Sequence, residues 1–239
     1  MGNPINFRRL SAFRTVFART SCIFRSASLD DLSSEAAWRL RYRLGINTFI
    51  DLHNDTSVTR NLGTQSISEV GISHIHTPIR MDVPSPQVPY PSAEDYAEYY
   101  AQLIDKCGAD FAIALYEVAR AAPEGVVFAC RQGKDRTGLL AAALQQAVGL
   151  RVDTILGDFA RSGPALIRAA DRYRTSWEQR NLKREEYLHR YTLGAAPLVL
   201  LESGFGGYGT LLRRIITAAP SGLNMDNAID TLCRLRVKT

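Results

Sequence analysis

Gly125-Val126-Val127-Phe128-Ala129-Cys130-Arg131-Gln132-Gly133-Lys134-Asp135-Arg136-Thr137-Gly138 carries an apolar, β-branched and aromatic run into a cysteine and out into a helix-forming segment. Val126, Val127 and Phe128 have buried-strand character, while Leu139 to Val148 is rich in Ala, Leu and Gln and is stopped by Gly149, the pattern of a helix with a glycine end. The stretch therefore predicts strand, loop, helix. In such a loop the backbone N–H groups of Arg131, Gln132, Gly133 and Lys134 can turn inward, and the following helix aims its positive N-terminal end at the same point. That cradle suits a phosphate. Cys130 at its mouth is the candidate nucleophile, because a thiolate is the attacking form of a thiol and a positive field favours an anion there. Arg136 can fork two N–H groups onto two phosphoryl oxygens, and Thr137 places a hydroxyl where it can donate to the sulfur.

These residues resemble a known family. Cys130-x5-Arg136-Thr137 is similar to the signature of the cysteine-dependent tyrosine phosphatases, and the fuller Cys-x-x-Gly-Lys-Asp-Arg-Thr-Gly to their bacterial and fungal branch, with the strand–loop–helix context that such a motif requires. The resemblance implies a phosphomonoester hydrolase of tyrosine or dual-specificity type that works through a cysteinyl-phosphate and needs no metal or cofactor. Its substrate would be a phosphotyrosine-type, phosphoinositide or small-molecule phosphate ester, the last including nucleoside and sugar phosphates. Arg131 and Lys134 resemble a cation pair found in phosphoinositide phosphatases. Two other classes stay open: a catalytically silent phosphate-binding module, and an oxidoreductase of arsenate-reductase type, which would need partner thiols. A purely structural cysteine gives no reason to gather Arg131, Lys134 and Arg136 around it.

The 239 residues are 46% hydrophobic and 22% charged, ordinary globular material for a single domain spanning 1–239 with a helical C-terminal part over 175–239. The net charge of +5 is modest and distributed, which fits an anionic substrate and carries no nucleic-acid motif. Cys22, Cys107, Cys130 and Cys233 lack metal-type spacing, and chemistry on a free thiol belongs in a reducing compartment, so the expected location is cytoplasmic. Secretion without a signal peptide and mitochondrial targeting are the alternatives. No apolar run approaches the roughly twenty residues needed to span a bilayer. Oligomeric state is not legible.

The Arg-rich start, with Arg8, Arg9, Arg14, Arg19 and Arg25 and no acid before Asp30, has a targeting-type composition. Asn6-Phe7-Arg8 and Phe24-Arg25-Ser26-Ala27-Ser28-Leu29 resemble the family's two opening motifs, so the segment is assigned to the folded domain, although Arg9 stands where the family has Asp. Ser33 or Ser34 caps a helix ending at Gly45, and Ile46–Leu52 and Ile72–Ile79 are strand-like. His53 replaces the family's Arg after Asp51-Leu52, and Ala129 stands where the family has His. His53, His74 and His76 are read as pocket-rim or surface histidines in preference to a metal site.

Residues 80–91 hold four prolines and form a loop. In the resembled family this segment supplies the acid that protonates the leaving group, and Asp82 is its only carboxylate. Asp135, a phosphate-loop residue between Lys134 and Arg136, is the second candidate for that acid, but the two cations are expected to keep it ionised, which suits orienting water or stabilising the loop better than proton donation. Ser92 and Asp95 form a capping box for a helix through Lys106, followed by a second helix from Asp110 to Ala121, whose tyrosines are read as core. Trp177 to Tyr191 is densely charged and is read as a solvated face or mobile connector.

Overall fold

The computed structural model describes residues 4–10, 13, 22–54, 61–80 and 83–236. Among the described residues, five strands form one sheet: β1 (Arg8–Arg9), β2 (Ile23–Ser26), β3 (Thr48–Asp51), β4 (Ser73–His76) and β5 (Val126–Ala129), in the order β1-β2-β5-β3-β4. β2, β5, β3 and β4 run parallel and β1 closes one edge antiparallel. The α/β class with a largely parallel sheet is thus the observed one.

β5 sits between β2 and β3 and all four of its residues are buried. Alternation across a strand sends Val126 and Phe128 into the larger core and Val127 and Ala129 into the smaller core on the opposite face. A continuous apolar run suits this central position, where neither face meets water.

The larger core is covered by α3 (Ala93–Ala121), α4 (Asp135–Ala147), α9 (Ala196–Gly204), α10 (Thr210–Thr217) and α11 (Met225–Arg234). The Ser92–Asp95 capping box opens α3. Where the sequence predicts two helices there is one continuous element, kinked at Cys107, whose φ of −118° and ψ of 17° are not helical. Apolar residues on both sides of that break bury against the same core, so the second half does not separate. α1 (Ser34–Trp38), capped by Ser33, passes into a π-helical turn over Arg39–Arg43, and α2 (Asn61–Glu69) joins it on the other face.

α5 (Val152–Ala160) adds Ile155 and Phe159 to the larger core, and α6 (Ser162–Arg168), α7 (Arg174–Glu178) and α8 (Arg184–His189) follow it in sequence. The reading of 177–191 as solvated or mobile is overturned. Trp177, Tyr187, Leu188 and Tyr191 are buried with Leu166, Ala170 and Tyr173 in a third core of their own, and the charges that dominate the composition flank these aromatic anchors. The N-terminal residues described are part of the sheet and its supports. Among the described residues, no helix is long and apolar enough to cross a membrane.

Candidate active site

Parallel strands open their carboxyl ends onto one edge, and β5 delivers Cys130 there, in the position where open α/β sheets hold ligands. Cys130 is 3% exposed and lies in the wall of a cavity of ≈ 290 Å³. Its backbone N–H donates to Thr137 Oγ1 at 2.9 Å, tying the end of β5 to the first turn of α4. The sequence expectation for Thr137 was a hydroxyl aimed at the sulfur; the geometry adds that its oxygen already accepts this backbone proton.

The loop between them is turned inside out by its partners. The carbonyl of Arg131 accepts from Ser28 N–H at 3.1 Å. That of Gln132 accepts from Asn6 Nδ2 at 3.1 Å, and that of Gly133 from Asn6 Nδ2 at 2.9 Å and Arg25 Nη2 at 2.8 Å. In a trans peptide the C=O and the next N–H point oppositely, and none of the described bonds is cis. Drawing three successive carbonyls outward therefore turns the N–H groups of Gln132, Gly133 and Lys134 inward. Gly133 has φ +65°, and a Cβ there would stand 2.3 Å from Ser26 O, so only glycine lets the loop lie this close to β2. α4 has no side-chain cap at its N-terminus, which leaves first-turn N–H groups for an anion.

Asn6 and Arg25 belong to a buried network that the sequence did not reveal. Arg25, 0% exposed, donates to Asp158 Oδ2 at 2.6 Å, and Arg8 Nε donates to Asp158 Oδ1 at 2.7 Å. Both guanidiniums also reach Ser162 Oγ, at 3.1 and 3.3 Å. Burial alone would push the Asp158 carboxyl up, but Arg25 and Arg8 outweigh it and hold the group below its ordinary range. A carboxyl depressed in the fold contributes stability above its unfolded value and loses it as pH falls through the folded one. Asp158→Asn should therefore cost about 3–5 kcal/mol near neutral pH, because it leaves the fully buried Arg25 and the partly buried Arg8 guanidiniums uncompensated. The gap between wild type and variant should narrow below about pH 4, as the wild-type carboxyl takes up its proton. Urea unfolding at neutral and acidic pH measures both.

Arg136, 7% exposed, donates from Nη1 to the carbonyls of Leu52 at 2.9 Å and Ile79 at 3.3 Å. Those carbonyls follow β3 and β4, so the sheet itself aims the side chain, and the Nε–Nη2 edge is left for an anion in the cavity that Arg136 lines. Asp135 also lines the cavity. Burial would raise its carboxyl, yet the Lys134 ammonium, the Tyr100 hydroxyl at 2.7 Å and Arg136 hold it below the ordinary range. Burial, together with the nearby Asp135 charge, pushes the Tyr100 phenol up, so it stays a donor.

The Lys134 side chain lies away from the cavity, although its backbone N–H is among those turned inward. It is 5% exposed and does not line the cavity; its ammonium lies 3.1 Å from Asp135 Oδ1, 3.3 Å from Tyr100 Oη and 4.0 Å above the centre of the Tyr96 ring. Tyr96 and Tyr100, four residues apart on one helical face, make with Asp135 a desolvated seat for this ammonium. Arg131 and Gln132 do line the cavity; Arg131 Nη2 donates to Ser176 Oγ at 3.3 Å and Gln132 Nε2 to Tyr187 Oη at 2.8 Å. Asp82 lies outside the described residues, but Ser85, three positions on, stands in the cavity wall.

His53 is buried against Asp51 rather than facing the cavity, while His74 Nε2 is 3.4 Å from Asp51 Oδ2 and His76 Nε2 meets His53 O at 2.9 Å. Burial opposes ionisation of Asp51, but hydrogen bonds from His53 and His74 hold its carboxyl well below the usual range. Among the described residues no group of three or more His, Cys, Asp or Glu is arranged to hold a metal. Also unforeseen in the sequence are Arg180 and Arg190, which reach the cavity from the C-terminal helical segment.

No curated protein matches the sequence. The core catalytic domain of the PP-IP phosphatase SIW14 from S. cerevisiae is 17% identical, with 68% of this chain and 78% of that one covered and a TM-score of 0.43. A second structure of the Siw14 catalytic core is 18% identical, with 67% and 77% covered and the same TM-score of 0.43. The model of the tyrosine phosphatase family matches residues 2–231, nearly the whole chain. The chain therefore belongs to the tyrosine phosphatase family and is a cysteine-based phosphoric monoester hydrolase.

Proposed function

We propose that Cys130 attacks the phosphorus of a phosphate monoester bound in the 130–136 loop, giving a cysteinyl-phosphate that water then hydrolyses. The observation that carries this reading is the set of three outward-drawn carbonyls, since it leaves a ring of N–H donors around the thiol before any substrate arrives. Preorganised donors of this kind stabilise charge on the transferring phosphoryl without reorganising. In the first step the S–P bond forms as the P–O bond to the leaving group breaks, and that oxygen takes a proton. In the second, water forms a new P–O bond, the S–P bond breaks, and inorganic phosphate leaves with Cys130 restored.

Proton donation is assigned to Asp82. A carboxyl held below its ordinary range, as Asp135 is, is an ionised acceptor near neutral pH and fits orientation of the attacking water. The position of Ser85 in the cavity wall brings the Pro-rich loop to the site. Asp82→Asn should slow an alkyl phosphate by roughly 10²-fold or more and an aryl phosphate with a good leaving group much less. Equal slowing of both esters, with selective loss of the alkyl ester in Asp135→Asn, would move the acid into the loop.

An arsenate-reductase reading finds no support in the cavity. Among the described residues Cys130 is its only thiol; Cys22 is in the core, where burial pushes it up to about 11, and Cys107 donates to Arg80 O at 2.6 Å. A phosphate-release screen across phosphotyrosine peptides, phosphoinositides and metabolite phosphates would separate the substrate classes.

A further inference from the structure

One phosphate at Cys130 accounts for the loop donors and Arg136, and cationic side chains remain. Arg180 and Arg190 enter the same cavity from the third core. Among the described residues neither they nor Arg131 and Arg136 form a carboxylate salt bridge, and the cavity carboxylate, Asp135, is held by Lys134 and Tyr100. Arg190 is 3% exposed. Its Nε donates to Tyr187 O at 2.7 Å, and its guanidinium carbon lies 4.4 Å from the Tyr187 ring centre. Its Nη2 is buried with no hydrogen-bond partner among the described residues.

A guanidinium buried with an unmade bond is costly, and a bound anion removes that cost. Arg180 rests on the same ring at 5.8 Å, and its Nη2 reaches Ser85 Oγ at 3.3 Å. Tyr187 is in turn anchored to the loop by Gln132 Nε2. The two arginines are therefore positioned from a ring that the phosphate loop itself holds.

We propose that Arg180 and Arg190 form a second phosphate subsite, so that the preferred substrate carries a further phosphate beside the one cleaved. The proposal rests on Cys130 as the reacting centre. The ligand chemistry is that of a multiply phosphorylated polyol or condensed phosphate, either free or as a lipid headgroup.

Calorimetric binding of inorganic phosphate, pyrophosphate and tripolyphosphate to the intact chain carrying Cys130→Ser tests the subsite without turnover, so its failure is distinct from failure of the catalytic reading. The condensed phosphates should bind more tightly than phosphate. Arg190→Gln or Arg180→Gln should lower that preference roughly ten- to hundred-fold, with partial recovery in Arg190→Lys. With Cys130 present, the same variants should raise KM for a bisphosphorylated substrate more than they lower kcat. A bisphosphorylated inositol lipid in vesicles and its soluble headgroup, each compared with an aryl monophosphate, separate the lipid from the free source; preference for either supports the subsite. Arg180 is only half-buried and reads the result even where Arg190→Gln fails to fold. No preference for condensed phosphates, or a preference unchanged in both Gln variants, overturns the proposal.

Discussion

Cys130→Ser should abolish turnover, by roughly 10⁴-fold or more, while phosphate still binds. A hydroxyl ionises far less readily than a thiol and is the weaker nucleophile at neutral pH. The binding site is untouched by the change, because its donors are the N–H groups fixed by Ser28, Asn6 and Arg25 and the guanidinium of Arg136. The variant swaps sulfur for oxygen at a buried position without removing a hydrogen bond, since the contact made by Cys130 is through its backbone. Phosphate affinity measured by calorimetry should stay within a few-fold of wild type. Loss of both activity and binding would show that the thiol supports the loop and does not attack.

Arg136→Lys should reduce kcat by roughly 10²–10³-fold although the charge is kept. Two strand-end carbonyls hold Nη1 at 2.9 and 3.3 Å, which fixes the plane of the guanidinium and presents the Nε–Nη2 edge as a side-on fork. An ammonium is one point with three rotatable donors, and bonding to the same carbonyls would draw it away from the phosphoryl oxygens. Because the fork matches equatorial oxygens whose charge grows in the transition state, the deficit should fall mainly in kcat, with a smaller rise in KM. Near-normal kcat would remove Arg136 from the clamp.

The parts of this site that were legible are those made by neighbours in sequence. Val126–Phe128, Cys130, Gly133 and Arg136 encode a strand, a tight turn and a helix start within fourteen residues, and each local preference agrees with the next. The supports were not legible, because they are made across the chain: Arg25 meets Asp158 at a separation of 133 residues and Asn6 meets Gly133 at 127. The segment 177–191 was misread because charge dominated its composition; the signal that it folds lies in Trp177, Tyr187 and Tyr191, the last two spaced i, i+4 and in edge contact at 5.8 Å. The seat of the Lys134 side chain was not legible for a related reason. Tyr96, Tyr99 and Tyr100 read as core, which they are, but nothing local showed that Tyr96 and Tyr100 also seat a buried ammonium.

The proposed mechanism requires a covalent phosphoryl group carried by one sulfur. Rapid acid quench of the wild-type enzyme during turnover of an aryl phosphate, followed by peptide mass spectrometry, reads this directly. The prediction is a transient gain of one phosphoryl mass on the peptide containing Cys130, building up further in Asp135→Asn if that carboxylate orients the attacking water, and absent in Cys130→Ser. Sustained turnover with no phosphoryl group on Cys130 at any quench time, or with the group on another residue, would contradict the mechanism.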